Sequence, residues 1–511
     1  MLVKINHRRW LSRVFAHIPA RVFTSALCLV SPLLAAQEDL DLNFLIFEPA
    51  AVLLTRDAED PDAPYMVSTV SESTSTAPAD GSASTTIPEP VNLHAWLASR
   101  QAQPAETETL EADIARYQSA IRDFELEEGP FSARLPQTLM DQAAAINATG
   151  DTDSALALYD RALHIIRVNN GLYSLEQEAV IERIINTHLA RGDIHAANAQ
   201  QEYLFYLHRK SVISEPHSML LDAIQKFADW NLFAFRAFIG SNPVYNKVSS
   251  FNIESAATRS FLDLQTFRAE SLLKAQTLIQ QMIEIVRQDF GASDPRLIPL
   301  QKQLAQSCYL YLSNFSLNEN FQITQDPPTY GTSTVQVNSL CSRVGREALG
   351  ERIALIEENE SSTGFRSEAV LDLVDWLIFS KKRMEAQNLL QSTYVALIQD
   401  NSLDRETLDA LFNPAIPVIV PNFGIGSYSR AAQNIPSDLD LEYKGYIDVE
   451  FTLTKYGATR SVNVWGKSAD TPEIVETLLV RHLRRAMFRP RIKSETIAEA
   501  ELVQLRYFYT Y

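Results

Sequence analysis

Glycine is scarce in this sequence, with 16 in 511 residues, about half the usual share. Nucleotide folds built on glycine-rich loops are therefore disfavoured. Neither G-x-x-x-x-G-K-[ST] nor G-x-S-x-G occurs, and Gly424-Ile425-Gly426 lacks the third glycine of a dinucleotide loop. H-E-x-x-H and C-x-x-C are also missing, so no metal and no cofactor is implied. Cations are outnumbered, 45 against 63 acids, for a net charge of −18. The first 36 residues hold five of those cations and no acid, so the remainder carries −23. Such a body lacks the clustered positive charge that phosphate backbones require, which excludes general nucleic-acid binding. What is present is apolar: 46% hydrophobic against 21% charged residues, in a length that implies several domains rich in long helices.

The N-terminus has the form of an address. Lys4, Arg8, Arg9, Arg13 and Arg21 precede Val22 to Ala36, an uncharged apolar run that closes on Ala35-Ala36 before Gln37-Glu38-Asp39. Residues 1–36 therefore read as a secretory signal peptide, with the mature chain in the periplasm and no stable membrane span after cleavage. The alternative is a retained inner-membrane anchor. A spanning helix needs about 20 apolar residues, and Arg21, Pro32 and Glu38 cut this run short. Cys28 leaves with the signal, which keeps Cys308 and Cys341. In an oxidising compartment these two can form one disulfide, since an antiparallel pair of helices would bring their segments together. The alternative is two separate buried thiols.

Residues 37–104 form an N-terminal segment in which 57–90, rich in Ser, Thr, Ala, Pro and Asp, read as a low-complexity flexible linker, too polar to offset its ordering entropy. Residues 105–412 turn helical and repeat. Leu139, Ala143 and Ile146 make one stripe, Gly150-Asp151 a turn, and Ala155, Tyr159 and Ala162 a second stripe. Ile181, Ile185 and His188 follow, then Gly192-Asp193, then Ala197, Gln201 and Leu204, so stripe, turn and stripe recur in the same order. Glycine permits the left-handed closure of one helix, and aspartate caps the next. A single helical pair cannot bury its own face, so pairs stack. The pattern resembles tetratricopeptide repeats in their longer-period form. A degenerate unit runs from Val370 through Val374 and Leu377 to Ala386 and Leu390, with Lys381 at the turn glycine's place. Residues 285–297 resemble an inter-repeat junction of the same family. An unspecific helical bundle is the plainer alternative.

After a Pro-rich connector (413–436) the period changes to two. Ile447, Val449, Phe451 and Leu453 alternate with polar neighbours, Gly457 supplies a turn, and 459–465 return as a second strand. Thr471-Pro472-Glu473 opens a helix with Ile474, Leu478, Leu479, Leu483 and Met487 on its apolar face, Pro490 ends it, and 501–511 form a last strand. This β-β-α-β order, with G-Y-I-D-V-E-F opening the domain and R-R-A-M-F-R-P-R closing the helix, resembles the C-terminal domain of TonB-type energy transducers over 440–511. The fold class expected for the chain is mainly α: a tetratricopeptide-like α-solenoid followed by a small α+β TonB-like domain (437–511). The resemblance implies binding of a protein or peptide partner, an outer-membrane protein among the candidates, by strand addition. The matching edge would be Val503, Gln504, Leu505, Arg506 and Tyr507. Alternatively that edge pairs with another copy or is covered by the helical domain. A signal in place of an anchor and a repeat array in place of a Pro-rich spacer set this chain apart from the transducers.

Arg481, Arg484, Arg485, Arg489, Arg491 and Lys493 fall in a stretch, 481–493, that contains no acid. The first four read as a basic face that docks on the acidic repeat domain or on an anionic polymer or lipid; a solvated helix C-terminus explains the run equally. His188 and His195 straddle the Gly192 turn and read as repeat packing rather than metal ligands. The functional expectation is a periplasmic, non-enzymatic interaction scaffold. Its alternatives are a TonB-like component of energy-dependent outer-membrane transport and an envelope hydrolase with an unrecognised site.

Overall fold

The computed structural model describes residues 46–55, 66–70, 107–211, 217–236, 253–315, 334–359, 362–400, 403–421 and 442–510. The expected signal peptide, most of the low-complexity linker and residues 422–436 of the connector lie outside the described residues. Residues 46–510 belong to one compact unit.

Among the described residues, twelve helices form the larger part: α1 (Thr107–Glu128), α2 (Leu135–Ala148), α3 (Thr152–Asn170), α4 (Glu178–Arg191), α5 (Ile194–Ser211), α6 (His217–Arg236), α7 (Ile253–Asp289), α8 (Leu297–Phe315), α9 (Thr334–Glu358), α10 (Thr363–Phe379), α11 (Arg383–Asp400) and α12 (Arg405–Phe412). From α2 to α11 they pair as five hairpins, and each helix also packs on the next, giving a stack of helical hairpins. The turns show why. Gly150 and Gly192 take φ of +92° and +81°, and the carboxylates of Asp151 and Asp193 accept from the Ser154 and Ala196 amides at 3.1 and 3.0 Å. The small residues behind them, Ala155 and Ala197, are fully buried where the helices cross. Lys381 adopts φ +64° without being glycine, and its turn repeats the second one bond for bond. Lys381 N–H donates to Ile378 O and Lys382 N–H to Leu377 O, as Gly192 does to Leu189 and Asp193 to His188.

The junctions between hairpins share a second device. Gly129, Gly171 and Gly291 have φ between +90° and +108°. Each carbonyl accepts from the residue three later (Ser132, Ser174, Asp294), whose own carbonyl accepts from Leu135, Gln177 and Leu297. The junction expected at 285–297 is one of the three. The other two escape the sequence reading, although Gly129 and Gly171 stand as far apart as Gly150 and Gly192 and so carry the same period.

Packing between hairpins is close where α9 meets α10. Trp376 is fully buried against Gly345, and a Cβ on that glycine would sit 2.2 Å from the indole Cζ2. Alanine in a helix interior ordinarily gains about 1 kcal/mol over glycine. Here overpacking should outweigh that gain, and Gly345→Ala is expected to destabilise the chain by about 1–3 kcal/mol, read from the urea midpoint. A rise in midpoint would show that the indole moves aside freely.

The smaller part is a five-stranded antiparallel sheet in the order β2 (Met66–Val70), β1 (Ile46–Thr55), β7 (Ala500–Thr510), β3 (Gly445–Thr454), β4 (Thr459–Lys467). Its outer strand β2 falls inside the stretch expected as linker, a correction to the sequence reading: M-V-S-T-V is short but β-prone, and pairing with β1 satisfies its backbone. One helix, α13 (Glu473–Arg485), crosses the sheet, and a small hairpin, β5 (Ile492–Lys493) with β6 (Thr496–Ile497), precedes β7. Ile447, Val449, Phe451, Leu453, Val503, Leu505, Tyr507 and Tyr509 are buried, as are Val475, Leu479 and Leu483 of α13 and Phe488. Two further details differ. Val475 rather than Ile474 or Leu478 leads the buried stripe of α13, and Thr471 does not cap it. The Thr471 hydroxyl instead accepts from Tyr509 Oη at 3.3 Å and reaches Tyr446 O at 3.5 Å. A separate apolar cluster joins the two parts: Val374, Leu377, Leu390, Tyr394 and Phe412 of the last helices pack with Val420 and Ile492.

Candidate partner surfaces

The expected docking edge is already taken at three of its five residues, Leu505 to Tyr507. Along β7, Leu505, Arg506 and Tyr507 pair with Ala51, Ala50 and Pro49 of β1, and on the other side β7 pairs with β3 from Ala500 to Tyr509. The strand expected as an open rim is central, and the chain's own N-terminal strand covers it. The cause is general: a row of unpaired amides and carbonyls is a template for any strand within reach. Residues 46–55 supply one, and Phe47 buries its ring edge-on to Tyr507 at 6.5 Å while Glu48 accepts from Tyr443 Oη. Pro49 has no amide to offer, a mark of strands outside sheet centres. The run I-F-E-P-A-A-V-L-L-T was legible as a strand, but the sequence reading left it inside an N-terminal segment.

The side chains of the five edge residues are also committed internally. Val503, Leu505 and Tyr507 are core residues. Gln504 donates to Glu450 at 2.8 Å. Arg506 holds Asp448 with two bonds of 2.8 and 2.9 Å while lying 3.9 Å over the Tyr446 ring, and the carboxylate raises the guanidinium pKa further.

The basic run divides. Arg481, Arg484 and Arg485 are exposed on α13. Arg489 is not part of that face. It is 7% exposed, and its guanidinium grips the fully buried Asp375 of α10 through Nε at 2.8 Å and Nη2 at 2.7 Å, with a third bond from Nη1 to Leu411 O. The chain leaves α13 at Ala486, Phe488 bridges to Ile419, and Arg489 N–H donates to Val418 O, so the side chain points into the helical body. Arg491 likewise reaches Ala415 O at 3.0 Å. The expectation that cations of this run dock on the acidic repeats therefore describes Arg489, through one buried pair rather than a face.

Clefts open on the helical repeats instead. One of about 510 Å³ is lined by Ser342, Arg343, Arg346 and Glu347 of α9 with Ser380 and Lys382 from the α10–α11 turn. A second, of about 260 Å³, lies among α7, α8 and α9 and includes Gln280, Arg287, Gln301 and Glu351; Glu347 borders both. Their charges are mixed and paired: Arg343 with Glu347 at 3.2 Å, Arg346 with Glu385, Arg287 with Glu351. None of these residues stood out in the sequence, because polar positions on an amphipathic helix look alike until neighbouring helices are placed.

Cys308 of α8 and Cys341 of α9 do meet, 0% and 1% exposed, but as free thiols and not as the disulfide that their spacing allowed. Gln276 of α7 donates its amide to Cys308 Sγ at 2.9 Å and to Cys341 Sγ at 3.5 Å. Cys341 Sγ in turn donates to Gln276 Oε1 at 3.9 Å. Interaction with Cys341 and burial push the Cys308 pKa up, while interaction with Cys308 pushes Cys341 down. His188 is lowered by burial, and the His195 ring packs on Phe267 at 4.9 Å. Among the described residues no three His, Cys, Asp or Glu side chains gather as metal ligands would.

No family model matches this chain, and no curated protein does. Among solved structures, the yeast Sti1 TPR2AB domain, described as a complex with pHSP90, is similar at 14% identity and a TM-score of 0.19. The likeness covers 64% of this chain and 96% of that one, and is too low to carry an argument.

Proposed function

We propose that this chain is a non-enzymatic interaction scaffold of the cell envelope, exported to the periplasm, that holds a polar protein or peptide segment along its helical repeats. The observation that carries the reading is the pair of clefts meeting at Glu347, where successive hairpins present charged side chains to one surface. Stacked hairpins favour such use, because each added repeat extends the same concave face. Mixed charge matches a polar partner, since every cation lost from its internal pair must find another acceptor. The sequence holds no nucleophile, metal or phosphate-loop motif, which supports binding over chemistry. The basic, apolar and small-residue regions of 1–36 support export.

A TonB-like role in outer-membrane transport is the second reading, favoured by the order β3–β4–α13–β7. Strand addition at β7 is not part of it, because β1 fills that edge. A photo-crosslinking residue at Ser342 or Gln280, introduced in living cells, should trap a discrete partner. The same residue at exposed Thr477 of α13 should not. Arg343→Glu with Arg346→Glu should lower the yield at least fivefold; an unchanged yield would remove the cleft from the proposal. Export is checked separately, by finding Gln37 as the mature N-terminus.

A further inference from the structure

The buried thiols meet at one amide, an arrangement that packing alone does not require. A lone buried cysteine behaves as a small hydrophobe. Here two face each other across adjacent helices, both within reach of the same Gln276 amide. Cys341 Sγ also lies 3.9 Å from Gln276 Oε1. The amide thus holds both sulfurs at the place where α7, α8 and α9 meet. We propose that Cys308 and Cys341 form a closable pair, converted by a disulfide-bearing oxidant into a cystine that ties α8 to α9.

The exchange balances. A Cys341 thiolate attacks one sulfur of the oxidant, breaking its S–S bond, forming a mixed disulfide and releasing the first thiol. Cys308 then gives up its proton and attacks the Cys341 sulfur, forming the internal bond and releasing the second thiol. Two protein hydrogens leave, and one oxidant disulfide becomes two thiols. Because both thiols are buried, exchange proceeds on the chain before or during hairpin closure.

The cross-link bears on binding through the proposed cleft, and in that respect rests on that reading: Cys341 immediately precedes Ser342 and Arg343, which line it. A closed pair fixes the turn of α9 that presents those residues. Closing a loop of about 33 residues should raise the melting temperature of the full chain by roughly 3–5 °C.

The experiment uses the full chain, reduced and then refolded in oxidised glutathione, with Cys308 and Cys341 followed by alkylation in denaturant and peptide mass. Neither should alkylate until dithiothreitol is added, and the reductant should lower the melting temperature by the stated amount. Cys308→Ser with Cys341→Ser should show no reductant effect. Both thiols alkylating after oxidative refolding, or a melting temperature indifferent to reductant in the wild-type chain, would overturn the pair. Chain taken from whole cells with both thiols free, yet closing in glutathione, upholds the pair and counts against residence in an oxidising compartment.

Discussion

Asp375→Ala is expected to detach the C-terminal sheet from the helical repeats. The change leaves the Arg489 guanidinium, 7% exposed, without its carboxylate in a site water does not reach. Removing one partner of a buried pair costs about 3–5 kcal/mol, because the stranded charge keeps its desolvation penalty. The loss should be local in effect. Arg489 sits at the seam where Val420, Ile492 and the last three helices meet, so calorimetry should show the single transition dividing into two and proteolysis should cut near 413–436. Asp375→Leu combined with Arg489→Met should restore most of the loss, since an apolar pair carries no such penalty. Equal damage from the single and double variants would mean that the bonds hold geometry which packing cannot replace.

A second large effect is expected at Gly457. Its φ is +78°, and a Cβ there would lie 2.1 Å from the Phe488 carbonyl oxygen. The contact is fixed by backbone on both sides: Phe488 N–H donates to Gly457 O at 2.7 Å, and Ala458 bridges to Met487. Neither partner can give way without breaking the hairpin's seat on the exit of α13. Gly457→Ala should therefore cost more than about 3 kcal/mol, combining left-handed strain with a backbone clash. Gly171→Ala is the control. Its φ is +97° with ψ 161°, a conformation essentially confined to glycine, but nothing lies within 4 Å, so conformational strain alone, about 1–3 kcal/mol, should appear. If the two variants lose stability equally, in matched denaturant curves, steric contact at Phe488 contributes nothing.

Much of the fold was legible from local chemistry. The Gly-Asp turns, the small residues behind them and the lysine standing in for glycine at 381 all declare themselves within a few positions, because turn geometry depends on neighbours in sequence. The alternating strands beside Gly457 were legible for the same reason, since side chains on a strand alternate faces. What escaped was partnership across distance. Nothing near Arg489 points to Asp375, far back in α10, and a run of cations reads as one face until the backbone turns one of them inward. The edge at Leu505 to Tyr507 was misjudged because a strand's open side is a property of the sheet, and the strand that fills it comes from the opposite end of the chain.

The amino-acid sequence by itself determined where helices end, how the hairpins repeat, and which residues alternate toward a core, because propensity, capping and periodicity act over a few bonds. Only the tertiary structure decided which charges are buried in pairs, which thiols meet, and that β1 closes the sheet. Those outcomes depend on which surfaces leave water together, and that competition is settled among parts of the chain with no local knowledge of one another.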